Sequence, residues 1–158
     1  MELVQIKPSQ NLETFKEKKD RKILIVEDEA TEVLILKKII HTMDKNITID
    51  SFSSAEEALT HLDKINRTKG ASLYDLLIID IYLEGTVNGL DLMRVVEKNY
   101  SEIPIVITSS TSPYNFLKML GEDFICPPFL EKPFSFNRCK TLLESVLEYP
   151  RRKDRWLN

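Results

Sequence analysis

YDLLIIDIYLEG, Tyr74 to Gly85, is the stretch on which the fold turns. Leu76 to Ile79 is an unbroken apolar run, the length of a strand buried on both faces. The run stops at a carboxylate, Asp80, and a glycine-containing loop follows. A charge at the end of a buried strand needs a reason, and the reason depends on what else lies at that level of the molecule.

Working outward, the pattern recurs. KILIV, Lys22 to Val26, is a second apolar run, closed by Glu27, Asp28 and Glu29. ATEVLILKKIIHTM, Ala30 to Met43, places its apolar residues at helical spacing. ITIDSF, Ile47 to Phe52, alternates like a strand. Ser53 or Ser54 is a candidate cap for a helix running to about Ile65, with Glu56 and Glu57 near its positive end. NGLDLMRVVEKN continues as a helix after Asp80, and IPIVIT, Ile103 to Thr108, is the fourth strand, with Pro104 suited only to its start. SPYNFLKML reads as a helix with Pro113 in its first turn. FLE, Phe129 to Glu131, is a short fifth strand, and Ser135 to Tyr149 is a final helix with one apolar stripe.

Strands alternating with helices predict βαβ units and a parallel sheet covered on both faces. The expected fold class is α/β, a flavodoxin-like doubly wound five-stranded sheet of order 2-1-3-4-5, although alternation by itself is compatible with other orders. The expected layout is a leader over residues 1–20, one domain over 21–149 and a basic tail over 150–158. The chain has 158 residues, 42% of them hydrophobic and 30% charged, which suits one core. A net charge of -3 gives no drive toward nucleic acid or anionic membrane, and no apolar run is long enough to span a bilayer. A cytoplasmic protein is expected. Cys126 and Cys139 have no metal-ligand spacing and read as reduced thiols. His41 and His61 read as surface or boundary residues without a partner motif. The terminal RRKDRWLN is too short to read as a DNA-binding element.

In open sheets of this kind, ligands sit beyond the carboxyl ends of the strands. Those ends carry Glu27–Asp28–Glu29, Asp80, Thr108–Ser109–Ser110 and Lys132–Pro133. Each alone has an ordinary reading: a solvated acid run, a capping stretch, a turn. Their conjunction at the ends of successive strands is what points to chemistry. Crowded carboxylates repel unless a cation joins them, and Mg²⁺ takes a few oxygen ligands while keeping waters for phosphate. Asp28 and Asp80 are candidate direct ligands, Glu27 one acting through water, and the Tyr82 backbone carbonyl a neutral oxygen. Lys132 is a point charge for a phosphoryl oxygen, and a carboxylate is itself a nucleophile for phosphate.

ILIVEDE, YDLLIIDIYLEGTVNGLDL, IPIVITSS and FLEKPF, in that order, resemble the receiver domain of two-component response regulators of the chemotaxis-regulator type. The resemblance runs from about Arg21 to Leu147. It implies that Asp80 is the phosphoacceptor, that Glu27 and Asp28 hold Mg²⁺ and that Lys132 senses the acyl phosphate, with a cis bond to Pro133. For the strand-four hydroxyl, TSSTSP favours Thr108 as the switch with Ser109 as a backbone N–H donor to phosphate, whereas counting from Pro104 selects Ser109. Phe129 occupies a position where receivers often carry an aromatic that swings inward; an ordinary buried aromatic is the competing reading. Gly89 lies nine residues past Asp80, one more than the commonest pattern, and LEGTVNG resembles a longer loop variant.

The resemblance therefore implies a stand-alone regulator rather than a turnover enzyme. It takes a phosphoryl group from a sensor histidine kinase or phosphotransfer protein and switches a surface for a downstream partner, as a monomer or a phosphorylation-dependent dimer. Two alternatives stand beside it: a receiver-like scaffold without phosphorylation, and a metal-dependent phosphohydrolase. Tyr82, where a hydrolase of that kind would carry a second aspartate, argues against the latter.

Overall fold

The computed structural model describes residues 20–69, 74–122 and 125–148; residues 1–19 of the expected leader, the basic tail and Tyr149 lie outside them. Among the described residues five strands, β1 (Lys22–Val26), β2 (Thr48–Phe52), β3 (Leu76–Asp80), β4 (Ile105–Ser109) and β5 (Phe129–Glu131), alternate with five helices. The helices are α1 (Ala30–Met43), α2 (Ala55–Lys69), α3 (Gly89–Asn99), α4 (Pro113–Leu120) and α5 (Phe136–Glu148). All strand pairs are parallel, in the order β2-β1-β3-β4-β5 that the sequence predicts.

The central strands are apolar because both of their faces are covered. Leu24, Val26, Leu77, Ile79, Ile105 and Ile107 project to one side, against Leu62 of α2, Met93 and Val96 of α3 and Phe116 of α4. Ile23, Ile25, Leu76, Ile78 and Val106 project to the other, against Leu36 and Ile40 of α1 and Leu143 of α5. Side chains alternate along a strand, so the last residue of each strand inherits a face from this pattern. β2, at an edge, is only partly buried and includes the exposed Thr48 and Ser51.

Helix starts follow local polar chemistry. The Ser54 hydroxyl accepts the Glu57 N–H at 3.2 Å, the Asn88 side chain that of Asp91 at 2.9 Å and Ser112 that of Asn115 at 3.3 Å. Ser54 rather than Ser53 is therefore the α2 cap, and Pro113 opens α4 as expected. Several boundaries differ from the sequence reading; α5, for one, starts at Phe136, because the Ser135 hydroxyl caps it by accepting the Arg138 N–H at 3.2 Å. β4 starts at Ile105 because the Ile103 N–H bonds Tyr100 in a turn and Pro104 has no N–H, and it continues through the Ser109–Glu131 rung. β2 starts one residue later because the Ile47 N–H bonds the Asp44 carbonyl. α2 runs on to Lys69, since its last turn is polar and leaves no apolar periodicity to read.

The order places β1 and β3 side by side although β2 lies between them in sequence, so the chain reverses its winding there and leaves a crevice at their carboxyl ends. α3 closes that crevice from beyond β3. Its first N–H, from Gly89, bonds the Ile81 carbonyl at 3.0 Å, and a Cβ on Gly89 would stand 1.8 Å from the Asp80 carbonyl oxygen. That neighbour is backbone and has no room to yield. Gly89→Ala is expected to destabilise the fold by roughly 1–3 kcal/mol or more, measured by urea denaturation; an unchanged midpoint would contradict this close approach.

Candidate functional site

The ends of β1, β3 and β4 and the residue after β5 bring Glu27, Asp28, Asp80, Thr108 and Lys132 to one rim. Glu27, Asp28 and Asp80 each offer a carboxylate oxygen, and the three oxygens lie within 4.8 Å of one another. Glu27 and Asp80 are buried, at 3% and 5% exposure, while Asp28 lies on the more open side. Lys132 binds both buried acids: its Nζ is 2.6 Å from Glu27 Oε2 and 3.3 Å from Asp80 Oδ1. The Lys132–Pro133 peptide is cis, as the resemblance implies.

The electrostatics follow from burial. Desolvation pushes the Asp80 carboxyl above its ordinary range, against Lys132, and the Asp28 charge adds to the rise. Desolvation likewise raises Glu27, opposed by the bond to Lys132. For Lys132, burial works against the ammonium, but the Glu27 bond and the Asp80 charge outweigh it and hold the proton more tightly than usual. One ammonium thus faces three carboxylates. Clustered hard oxygen donors short of positive charge fit a hard divalent cation.

The loop after β3 is tied into this rim. The Tyr82 N–H bonds the Asp80 carboxylate, and the Glu84 N–H bonds Asp28 Oδ2 at 3.1 Å. Glu27 Oε1 accepts the Glu29 N–H at 3.1 Å. Tyr82 itself is exposed at 53%.

The two hydroxyls at the end of β4 part company. Thr108 is in register with Asp80 and shares its face, and the Thr108 hydroxyl is buried with no hydrogen-bond partner. Ser109 lies on the opposite face, where its Oγ accepts the Thr111 N–H at 3.1 Å. Phe129, in register with Ile107, is on the Ser109 face and stacks on Phe116 of α4 with ring centroids 4.9 Å apart. The sheet therefore stands between Thr108 and Phe129. An inward swing of Phe129 in this register would bring it toward Ser109 and not toward Thr108, because consecutive residues of β4 point to opposite sides.

Several contacts at and beyond this rim left no signal in the sequence. The Lys132–Glu27 pair is shorter than the one to Asp80. Glu56, read only as a helix-end acid, bonds the loop after β3. Away from the rim, His61 has partners after all: its Nε2 is 2.7 Å from the Tyr74 hydroxyl, which donates to Asp50 at 2.6 Å, and Lys22 pairs with Asp50 at 2.8 Å. Tyr74 is a buried polar residue satisfied by neighbours distant in sequence, which no local pattern reveals. Neither Cys126, which is exposed, nor Cys139, which is buried, is in a disulfide.

A raised carboxyl costs stability once it ionises. Below its ordinary value of 3.8, Asp80 is protonated in both folded and unfolded chains and costs nothing; the cost grows as pH rises from there and is complete above the folded value. Asp80→Asn is therefore expected to raise the thermal midpoint at pH 7 without divalent ion, with the gain shrinking toward pH 3.8. A lowered midpoint at pH 7 would mean that Lys132 outweighs burial.

A family model described as the response regulator receiver domain matches residues 23–144. Response regulator ArlR of Staphylococcus aureus is 28% identical over 134 residues, which cover 84% of this chain and 55% of ArlR. The chain spans about half the length of the curated relatives it matches. A response regulator receiver protein from Sinorhizobium medicae superposes with a TM-score of 0.66 at 24% identity, over 82% of this chain and 96% of that one, a likeness of fold. The receiver domain of NtrX from Brucella abortus superposes with a TM-score of 0.62 at 26% identity, over 80% and 98% of the two chains. Among the described residues no helix is long and apolar enough to cross a membrane.

Proposed function

The chain belongs to the response regulator receiver family, and on that premise we propose that Asp80 accepts a phosphoryl group from a histidine kinase, a phosphotransfer protein or a small phosphodonor. The observation that carries the assignment is the cluster of three carboxylate oxygens within 4.8 Å, with the Lys132 ammonium 3.3 Å from Asp80. Asp80, buried like Glu27, is held by Lys132 and by the Tyr82 N–H at the end of a fully buried strand. A nucleophile needs that fixed position together with access from the open side.

In the proposed step an Asp80 carboxylate oxygen attacks phosphorus in line with the leaving group. A P–O bond forms to Asp80, and the bond from phosphorus to the donor nitrogen or oxygen breaks, its electron pair leaving with the donor. Glu27, Asp28 and Asp80, with the Tyr82 carbonyl, would hold Mg²⁺, which supplies positive charge to the transferring oxygens. Lys132 moves its charge from Asp80 to the new phosphoryl group, keeping Glu27 as its second partner. Attack by the protein's own carboxylate makes this self-catalysed transfer, once per site, rather than turnover.

The switch reading rests on the two hydroxyls. Thr108 shares the Asp80 face and has a free hydroxyl, which makes it our candidate partner for a phosphoryl oxygen. Ser109 is assigned a backbone N–H contact to phosphate. Because Ser109 and Phe129 share a face, movement of this strand end would reach α4 through the Phe129–Phe116 stack. Tyr114 and Leu117 of α4 are exposed and would form part of the surface whose partner binding changes.

Incubation with acetyl phosphate and Mg²⁺, read by intact mass, is expected to add one phosphoryl group to wild type and none to Asp80→Asn. An unlabelled wild type, where a known receiver is labelled, contradicts the proposal and favours the scaffold alternative. Thr108→Ala is expected to label like wild type but to lose the amide chemical-shift response of α4. If Ser109→Ala has that phenotype and Thr108→Ala does not, the switch hydroxyl is Ser109.

A further inference from the structure

The loop joining β3 to α3 is one residue longer than the commonest receiver pattern, yet it is held at both ends of its span. On the β1 side, Asp28 Oδ2 takes the Glu84 N–H at 3.1 Å. On the α2 side a single oxygen, Glu56 Oε1, takes three donors: the Thr86 N–H at 2.9 Å, the Thr86 hydroxyl at 2.7 Å and the Val87 N–H at 3.0 Å.

Glu56 lies in the first turn of α2, where an acid is ordinarily a solvated complement to the helix dipole. Three observations say otherwise. Its other oxygen, Oε2, is buried with no hydrogen-bond partner, so the carboxylate is turned onto the loop and away from water. The loop passes so close that a Cβ on Gly85 would meet both carboxylate oxygens at 3.0 Å, and Gly85 adopts φ 131°, a conformation that favours glycine. The carboxyl is pushed down to about 2, chiefly by the Thr86 hydroxyl bond and then by backbone N–H bonds that include those of Val87 and Thr86. Charge-assisted bonds of this kind are about twice as strong as neutral ones.

We propose that Glu56 is a positioning residue for the divalent-ion site: by gripping Thr86 and Val87 it holds the β3–α3 loop so that the Tyr82 carbonyl and Asp28 stay in place to bind the ion. The proposal rests on the receiver reading above. The loop has two tethers and two jobs. At Glu84 it is joined to a metal-site carboxylate, and at Thr86 and Val87 it is joined to a helix that takes no part in the chemistry. Releasing the second tether leaves Leu83 and Val87 packed against the core, but the remaining side-chain hydrogen bond to the Glu84–Val87 backbone comes from Asp28, a group that the ion itself must engage. Part of the ion's binding energy is then spent on ordering the loop.

The test measures Mg²⁺ affinity by calorimetry and Thr86 and Val87 amide hydrogen exchange by NMR, on the full chain. Glu56→Ala is expected to lose amide protection at Thr86 and Val87 and to weaken Mg²⁺ binding on the order of tenfold, as loss of a supporting partner does in metal sites. Glu56→Gln carries the same net charge as Glu56→Ala but keeps an acceptor oxygen, and is expected to recover most of both readouts. Thr86→Val, which removes only the hydroxyl donor, should weaken binding in the same direction by less, and it serves if Glu56→Ala fails to fold. Equal affinities for Glu56→Gln and Glu56→Ala would reduce the effect to charge and overturn the proposal. So would lost amide protection with unchanged Mg²⁺ affinity. A wild-type chain that neither binds Mg²⁺ nor takes phosphate from acetyl phosphate fails the receiver reading itself, a separate result.

Discussion

The Lys132 ammonium, set between Glu27 at 2.6 Å and Asp80 at 3.3 Å, is the interaction on which the rim depends. Two carboxylates at 3% and 5% exposure are expensive to keep ionised, and a third nearby adds repulsion. Without a cation in contact they would take up protons, and a protonated Asp80 is no nucleophile. Lys132 meets part of that demand and leaves the rest unmet. The shortfall is useful, because it is what a divalent ion and then a phosphoryl group can exploit. The sheet order serves the same end: β5 is needed beside β4 to deliver Lys132, and β1 beside β3 to deliver the acids.

Around that charge the backbone does the fixing. Asp80 ends a fully buried strand and receives the Tyr82 N–H, so its carboxylate has little freedom. Gly89 lets α3 start against the Asp80 carbonyl, which shortens the path that the loop must take. Glu56 and Asp28 then secure the loop from two sides. A longer loop would ordinarily mean a looser one. Here the added length is offset by three hydrogen bonds to a carboxylate in a neighbouring helix.

Much of this was legible in the sequence, and the reason is local. β1, α1 and β5 have the predicted limits because apolar runs and helical spacing are properties of adjacent residues. The strand order followed from the alternation of elements together with the flavodoxin-type pattern. Asp80, Glu27, Asp28 and Lys132 were found because each sits at a strand end, where topology brings distant residues together. What was hidden depends on pairs. Glu56 and Thr86 are 30 positions apart, and nothing in either neighbourhood says that they touch. His61, Tyr74 and Asp50 form a part-buried polar group that was hidden for the same reason. Which face Thr108 and Ser109 each take follows from the register of β4 against β3 and β5, which pairs residues distant in sequence.

The central claim is that the carboxylate of Asp80, and no other acid at this rim, forms the acyl phosphate. Borohydride reduces an aspartyl phosphate to homoserine, so peptide mapping of the reduced protein reads the site directly. After treatment with acetyl phosphate and Mg²⁺, homoserine is expected at position 80 alone, and at no position when phosphodonor is omitted. Homoserine at position 28, or an unmodified chain under conditions that label a known receiver, would contradict the account.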